Sequence, residues 1–254
     1  MAKNKKWILA AVAVLAVVLC CWAAWSKWAS TTRIGLVNFQ NYQTASLVKS
    51  NEDNFIEYEE IPLDRLDRLG RYDLVLGFGM GLKITEEQRA QILAAADEGT
   101  PIYIYAATNP ENDICSLDSL TKAGISAYIG NGNKRNYRNM ARYVRQHIDA
   151  KRLFVTPAEE AVESASDVLY HLDEDLSFKT VADYEKYLRE QGIYREKAPK
   201  IAIVGGLNDP FSGNRANIDS LIVSLQNAGM NVYPVSSYRQ RLACLLYTSP
   251  SPRD

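Results

Sequence analysis

Lys200-Ile-Ala-Ile-Val204 is a short apolar run that leads directly into a polar loop, Gly205-Gly-Leu-Asn-Asp-Pro-Phe-Ser-Gly-Asn214. A helix is predicted from about Ala216 to Asn227, because four apolar residues recur there at helical spacing: Ile218, Leu221, Ile222 and Leu225. Gly229 ends that helix, and Asn231-Val-Tyr-Pro-Val235 begins the next strand. A strand, a loop, a helix and a second strand in this order indicate the start of an α/β domain.

The same alternation of strands and helices fills residues 33–150. Apolar or alternating runs predict strands at Arg33–Phe39, Phe55–Ile61, Tyr72–Phe78, Pro101–Tyr105 and Ile125–Ile129. Thr85-Glu-Glu-Gln88 has the capping-box pattern of a helix start, and a further helix is predicted from Asn136 to Ile148. Strands that alternate with helices indicate a mostly parallel sheet covered on both faces. We therefore predict a flavodoxin-like or Rossmann-like α/β domain over residues 33–150.

The stretch between these two regions, residues 151–198, is charged and has a mainly helical pattern. Val181, Tyr184 and Leu188 lie at helical spacing, and Pro199 marks the passage to the next strand. We predict a helical connector over residues 151–198 and a second α/β domain over 199–243. With two strands and one helix, that second domain is a truncated start, and we expect it to be unstable in isolation.

Residues 1–30 are predicted to form an N-terminal membrane anchor. Lys3, Lys5 and Lys6 precede a charge-free apolar run from Trp7 to Trp25. This run is about as long as the ~20 residues of a transmembrane helix. Lysines on the N-terminal side predict that this end is cytoplasmic. The expected location is therefore the inner membrane, single-pass, with the body in the periplasm.

The four cysteines leave alternatives open for the N-terminus and exclude one kind of crosslink. Cys20 and Cys21 lie in the apolar run and leave a lipoprotein anchor as an alternative, beside a cleaved signal peptide. Cys244 belongs to the C-terminal tail, so Cys115 has no intramolecular disulfide partner in the folded body. No group of cysteines and histidines has the spacing of a zinc site.

The tail at residues 244–254 has an unusual origin. Its sequence, Cys-Leu-Leu-Tyr-Thr-Ser-Pro-Ser-Pro-Arg-Asp, matches a frame translation of a transposon-end sequencing adapter over all of these residues. We therefore interpret the tail as non-native and exclude it from fold reasoning. The expectation is that the natural chain continues beyond this point.

Charge and composition exclude some functions. The 254 residues carry a formal net charge of -1, which gives no reason to expect a nucleic-acid partner. A helical stripe of four arginines, predicted to face solvent, is the one basic cluster: Arg135, Arg138, Arg142 and Arg145. The adjacent carboxylates Glu59-Glu60 and Glu159-Glu160 point apart in a strand or helix. No catalytic set and no metal ligands can be assembled from the sequence.

The loop from Gly205 to Asn214 is the candidate ligand site. It follows a strand and precedes a helix, where ligands of α/β sheets commonly bind. Its polar side chains are Asn208, Asp209, Ser212 and Asn214. The loop has no Gly-Lys-Ser/Thr ending and is therefore not a P-loop. The other glycine-rich segment, Gly77-Phe-Gly-Met-Gly81, lacks the G-x-G-x-x-G spacing and is interpreted as a structural turn.

Four segments between residues 180 and 236 carry a family resemblance. They are Tyr184–Tyr194, which ends in Gly-Ile-Tyr, Pro199–Val204, Gly213–Ile222 and Gly229–Val235. Together they resemble the large subunit of cobaltochelatase of the CobN type, a family that includes the magnesium chelatase H subunit. The domain before them matches that family in kind. The membrane anchor departs from the common cytoplasmic members and resembles an exported branch linked to haem uptake.

The resemblance implies a chelatase-type large subunit that handles a tetrapyrrole and a divalent metal. Two directions stay open: cobalt insertion into a corrinoid precursor, or removal of the metal from haem in the periplasm. Family chains are several times longer, so the resemblance implies that the metal- and tetrapyrrole-handling residues lie beyond this sequence, with chelatase subunits as possible partners. The alternatives are an exported module that binds a tetrapyrrole or other ligand without catalysis, and a structural domain without a ligand.

Overall fold

A computed structural model describes residues 2–163, 168–173, 176–205 and 215–236. Contacts divide the chain into two compact units, each made of three segments. The first unit consists of Met1–Gln40, Asn51–Ser126 and Asn139–Glu160. The second unit consists of Asn41–Ser50, Ala127–Arg138 and Ala161–Asp254.

The first unit contains a four-stranded, entirely parallel sheet. Its strands are β1 (Thr32–Val37), β2 (Ile56–Glu60), β3 (Leu74–Phe78) and β4 (Ile102–Tyr105), in the spatial order β2-β1-β3-β4. Four of the predicted strands are therefore confirmed within one or two residues at most ends. Their continuous apolar runs arise because a parallel sheet is covered on both faces.

One face of this sheet carries a continuous apolar core. Val37, Val75 and Ile104 project from three neighbouring strands into a cluster with Leu66 and Leu69. The last two residues belong to a 3-10 helix at Leu66–Arg71. Helix α3 (Glu86–Asp97) covers the same cluster through Ile92. Burial of these side chains at roughly 25 cal/mol per Å² is the main favourable term for this unit.

Helix α3 begins with the predicted capping box. The Thr85 hydroxyl accepts a hydrogen bond from the Gln88 amide at 3.3 Å, and the Gln88 side chain accepts one from the Thr85 amide at 2.9 Å. Both bonds satisfy amide groups that lack helical partners. At the other end Gly99 has a φ of 96°, which a residue with a Cβ adopts only under strain. Gly99 therefore ends helix α3 in the left-handed conformation that favours glycine.

The fifth predicted strand is wrong. Ile125–Ile129 lies inside helix α4 (Ser119–Gly130), which follows α2 (Asn41–Ser50) and α3 along the chain. A short apolar run fits a buried helix as well as a buried strand. The Asp118 side chain decides between them, because it accepts hydrogen bonds from the amides of Leu120 at 2.9 Å and Thr121 at 3.0 Å. The helix predicted at 136–148 is observed as α5 (Lys134–Tyr143) and a π-helical turn, Val144–Ile148.

The arginine stripe faces solvent at one end and is buried at the other. Arg135 is exposed, whereas Arg145 has no exposed surface, which corrects the prediction of a solvated stripe. Its guanidinium donates to the Thr32 hydroxyl and to five backbone carbonyls, those of Ala29, Ser30, Phe55, Leu153 and Phe154. Burial lowers the pKa of Arg145 from its ordinary value. Arg145 thus connects its own turn by hydrogen bonds to three other stretches of the first unit, at residues 29–32, 55 and 153–154.

The second unit contains a mixed four-stranded sheet in the spatial order β6-β5-β8-β7. Strands β7 (Lys200–Gly205) and β8 (Asn231–Ser236) are parallel, with helix α7 (Ala216–Asn227) between them in sequence. This β-α-β start confirms the prediction. Two short strands, β5 (Val168–Tyr170) and β6 (Ser177–Phe178), continue the sheet in antiparallel register.

Strands β5 and β6 lie within the stretch that was predicted as a helical connector. They change the expectation for the second domain, which does not consist of two strands alone, because β5 pairs with β8. Helix α6 (Val181–Glu190) packs on one face of this sheet through Tyr184 and Leu188, next to Leu169. On the other face, Ile222 of α7 packs with Tyr170 and Val232.

The N-terminal segment is helical from Ala2 to Trp28 and is named α1. Over the part of the chain that the structure describes, no helix combines the length and the hydropathy that a bilayer crossing requires. The transmembrane helix predicted within residues 1–30 is therefore unsupported by the structure and rests on the sequence alone. The tail at residues 244–254 lies outside the described residues.

Candidate functional site

The predicted ligand loop connects β7 to α7. All four of its predicted contact residues, Asn208, Asp209, Ser212 and Asn214, lie outside the described residues. The described structure fixes both ends of the loop, at Gly205 in β7 and at Arg215 before α7. The site is therefore defined by the side chains that hold these ends.

Arg215 anchors the C-terminal end of the loop from within the second unit. Its side chain is 2% exposed and donates to the carbonyl of His171 and, at 2.7 Å, to the carboxylate of Asp219. The guanidinium carbon also lies 5.0 Å from the ring centroid of Tyr170, within the range of a cation–π contact. A buried guanidinium requires such partners, because its desolvation is costly. Arg215 thus fixes the position at which the loop ends and α7 begins.

His171 follows β5 and is buried, with 5% of its surface exposed. Its Nε2 lies 2.8 Å from the amide nitrogen of Gln226, and its Nδ1 lies 3.5 Å from the hydroxyl of Tyr187. With the amide nitrogen as donor, Nε2 accepts, so the proton of the neutral ring is on Nδ1. Burial lowers the pKa of His171, and the positive charge of Arg215 lowers it further. The ring is therefore neutral at pH 7 and links α6 to α7.

Both ring nitrogens of His171 face protein groups, which makes this residue a structural link and not a metal ligand. In the described parts of the chain, no group of three or more histidine, cysteine, aspartate or glutamate residues is placed to hold a metal ion. The described cysteines Cys20, Cys21 and Cys115 are free thiols. The described part of this site therefore consists of the side chains that hold the ends of the loop in place.

The sequence analysis missed His171 and Arg215 as parts of this site. Arg215 directly follows the loop, and a charged residue before the first turn of a helix gives no sign that it is buried. His171 follows Val-Leu-Tyr, a run of three apolar residues that is too short for a periodicity test. The apolar run before a lone histidine is the signal that points to its burial.

Taken together, the fold is that of an α/β protein with one parallel and one mixed sheet, and the predicted ligand loop follows the carboxyl end of β7. Residues 126–249 match the family model described as CobN/Magnesium Chelatase. This match covers just under half of the chain and includes every strand of the mixed sheet.

The fold is also similar to a solved structure, the catalytic subunit of cobaltochelatase from Mycobacterium tuberculosis. The two chains are 17% identical, with a TM-score of 0.56, and the similarity covers 85% of this chain. The present chain spans 17% of the length of that subunit. No curated protein matches this chain in sequence.

Proposed function

We propose that this chain is part of a chelatase-type large subunit that inserts a divalent metal into a tetrapyrrole. The observation that carries the proposal is the family match over residues 126–249, which includes the ligand loop and both residues that hold its end, Arg215 and His171. The likeness of the fold to a cobaltochelatase catalytic subunit supports the proposal independently of that match. Cobalt is the metal that this likeness favours, and the resemblance of the sequence implies a corrinoid precursor as the tetrapyrrole.

Within such a subunit, this portion binds and positions, and the metal chemistry belongs to the rest of the protein. The loop supplies uncharged amide and hydroxyl groups at Asn208, Ser212 and Asn214, and one carboxylate at Asp209. Amides and hydroxyls suit the polar edge of a tetrapyrrole, because they both donate and accept hydrogen bonds. Partner subunits of a chelatase complex complete the proposed assembly.

The decisive experiment uses the longer gene that contains this sequence. The encoded protein, purified with its candidate partner subunits, is expected to catalyse insertion of Co²⁺ or Mg²⁺ into a metal-free tetrapyrrole, followed by the absorbance of the macrocycle. Residues 33–243 alone are expected to show no turnover. Turnover by residues 33–243 would show that this portion carries out metal chemistry by itself. A full-length protein without turnover or tetrapyrrole binding would contradict the proposed function.

A binding module without catalysis is the second candidate. It is favoured by the described residues, which bring no metal-ligand group together. The same full-length protein separates the two candidates, because a binding module shifts the absorbance of an added tetrapyrrole and leaves its metal content unchanged. Mass spectrometry of the recovered macrocycle measures that content directly.

For localisation, we propose a single-pass inner-membrane protein with its body in the periplasm. The charge-free run from Trp7 to Trp25 supports this proposal. ATP-driven insertion lacks an ATP pool in that compartment, so removal of the metal from haem stays the alternative direction for a periplasmic body. An alkaline phosphatase fusion after residue 240 is expected to be active in whole cells, and an inactive fusion would contradict the topology.

A further inference from the structure

The parallel sheet of the first unit has a switch point that the sequence analysis left unassigned. From β1 the chain continues to β2 on one side, and β3 lies on the other side of β1. In open parallel sheets, ligands bind beyond the carboxyl ends of the strands where the order reverses in this way. Here that place is the edge formed by the ends of β1, β3 and β4.

Three aromatic rings meet at this edge, one from the end of each strand. Phe39 follows β1, Phe78 ends β3 and Tyr105 ends β4. The ring centroids lie 6.3 Å apart for Phe39 and Phe78, 6.1 Å for Phe39 and Tyr105, and 5.5 Å for Phe78 and Tyr105. All three side chains are half-buried, and the adjacent Met80 is 57% exposed. We call Phe39, Phe78, Met80 and Tyr105 the aromatic ledge.

The backbone under the ledge is held in place by specific contacts. Asn38 adopts a φ of 59°, and its side-chain amide donates to the carbonyl of Phe78 at 2.7 Å and to that of Met80 at 3.3 Å. The amide of Gly79 donates to the carbonyl of Tyr105 at 2.7 Å. A Cβ on Gly79 would lie 2.6 Å from the Cα of Ala107, so these two loops approach as closely as glycine permits.

Two non-glycine residues at this edge occupy the left-handed region, Asn38 and Ala106, which has a φ of 54°. Such conformations cost roughly 1–3 kcal/mol each and persist where the surrounding contacts enforce them. Phe78 and Tyr105 lie outside the apolar cluster that contains Val37 and Ile104. The Tyr105 ring lies 6.1 Å from that of the buried Tyr103, so the ledge is the exposed continuation of buried side chains on the other face of the sheet. A braced, partly exposed group of rings at a switch point has the features of a binding surface.

We propose that the aromatic ledge binds one face of a planar conjugated macrocycle of the tetrapyrrole class, an inference that rests on the proposed function. Aromatic rings stack in offset or tilted arrangements on conjugated planes, and a thioether makes favourable contacts with ring edges. The four ledge residues carry no charge, so the ledge recognises the plane of the macrocycle and not its carboxylates. The loop between β7 and α7 belongs to the other unit.

The test is a titration of metal-free protoporphyrin IX with the full chain at constant detergent concentration, with empty micelles as the blank. Porphyrin absorbance and fluorescence give the dissociation constant. Phe39→Leu and Tyr105→Leu retain apolar volume and remove the π face, and each is expected to weaken binding about 2- to 10-fold. Met80→Glu, at an exposed position, is expected to weaken binding without a change in thermal stability.

Phe55→Leu is the matched control. Phe55 is also half-buried and also stacked, at 4.7 Å on Phe154, but it precedes β2 and lies at the opposite end of the sheet. Its variant is expected to bind as the wild type does. Equal affinity of the wild type and all three ledge variants would show that the ledge does not bind the macrocycle, and it would leave the proposed function intact. Absence of binding by the wild type would also overturn the ledge, and chelatase activity of the full-length protein would then test the proposed function separately.

Discussion

The two sheets differ in what joins their strands. In the first unit all four strands are parallel, and the intervening segments between β3 and β4 include the long helix α3. In the described part of the second unit, β7 and β8 form a parallel pair, and β5 and β6 extend it in antiparallel register. Parallel strands need long crossovers that leave a clear alternating pattern in the sequence. Strands of two or three residues leave none.

The units also differ in how they accommodate a buried arginine. The described hydrogen bonds of Arg145 lead to backbone carbonyls and to Thr32, in three other stretches of the first unit. Arg215 pairs with a carboxylate, that of Asp219, whose side chain is 31% exposed. Arg145 therefore organises tertiary structure, whereas Arg215 fixes one loop end. The following predictions test this difference.

The largest effect is expected for Arg145→Met. The substitution removes a side-chain donor from five backbone carbonyls, of which that of Phe55 keeps the Thr32 amide as a donor, so the free energy of unfolding should fall by about 3–5 kcal/mol. Urea unfolding followed by circular dichroism measures the loss. Arg135→Met, at an exposed position of α5, is the control and should change stability by no more than about 0.5 kcal/mol. A loss equal to that of the control would show that the hydrogen bonds of Arg145 do not stabilise the first unit.

Arg215→Met should cost less, about 2–3 kcal/mol, because one carbonyl and a partly hydrated carboxylate lose their donor. Hydrogen exchange should show faster exchange at β5 and α7 and unchanged protection in β1 and β3. The double variant Arg215→Met with Asp219→Leu removes both charges and should recover part of the loss. Faster exchange in β1 and β3 would show that the stabilising effect of Arg215 is not confined to the second unit.

A pH effect is expected in the second unit through His171. Its pKa is lowered in the folded state, so the unfolded state binds more protons as the pH falls through about 6.5. Stability should therefore be constant above that pH and decline below it, by at most about 1.4 kcal/mol per pH unit. Thermal unfolding between pH 7.5 and 5.5 measures the decline. His171→Gln should reduce it. A decline in the His171→Gln variant identical to that of the wild type would contradict the role of His171.

The smallest effects concern two threonine caps, one in each unit. Thr85 caps α3 within a capping box, and Thr180 caps α6 by accepting from the Asp183 amide at 3.1 Å. Replacement of either by alanine should cost about 1 kcal/mol, whereas serine should retain most of the stability. Calorimetric melting of the four variants measures this difference. A serine variant as unstable as the alanine variant would show that the methyl group, and not the hydroxyl, stabilises the helix.

Local sequence patterns determined most elements of this protein. The four strands of the first sheet, the capping box at Thr85 and the β-α-β start at Lys200 were all predictable, because each depends on residues close together in the chain. The family resemblance likewise followed from segments between residues 180 and 236, and the match to residues 126–249 supports it. Ile125–Ile129 failed because a short apolar run satisfies a helix and a strand equally.

Tertiary structure decided whatever depends on partners distant in sequence. Arg145 belongs to a stripe that predicts a solvated face, yet carbonyls 90 to 116 residues away bury its guanidinium. Strand β5 exists because β8 offers it an edge, and His171 becomes buried as a consequence of that pairing. The aromatic ledge forms because three parallel strands end side by side. Periodicity records which face a residue prefers, but only the folded chain brings together groups whose burial depends on one another.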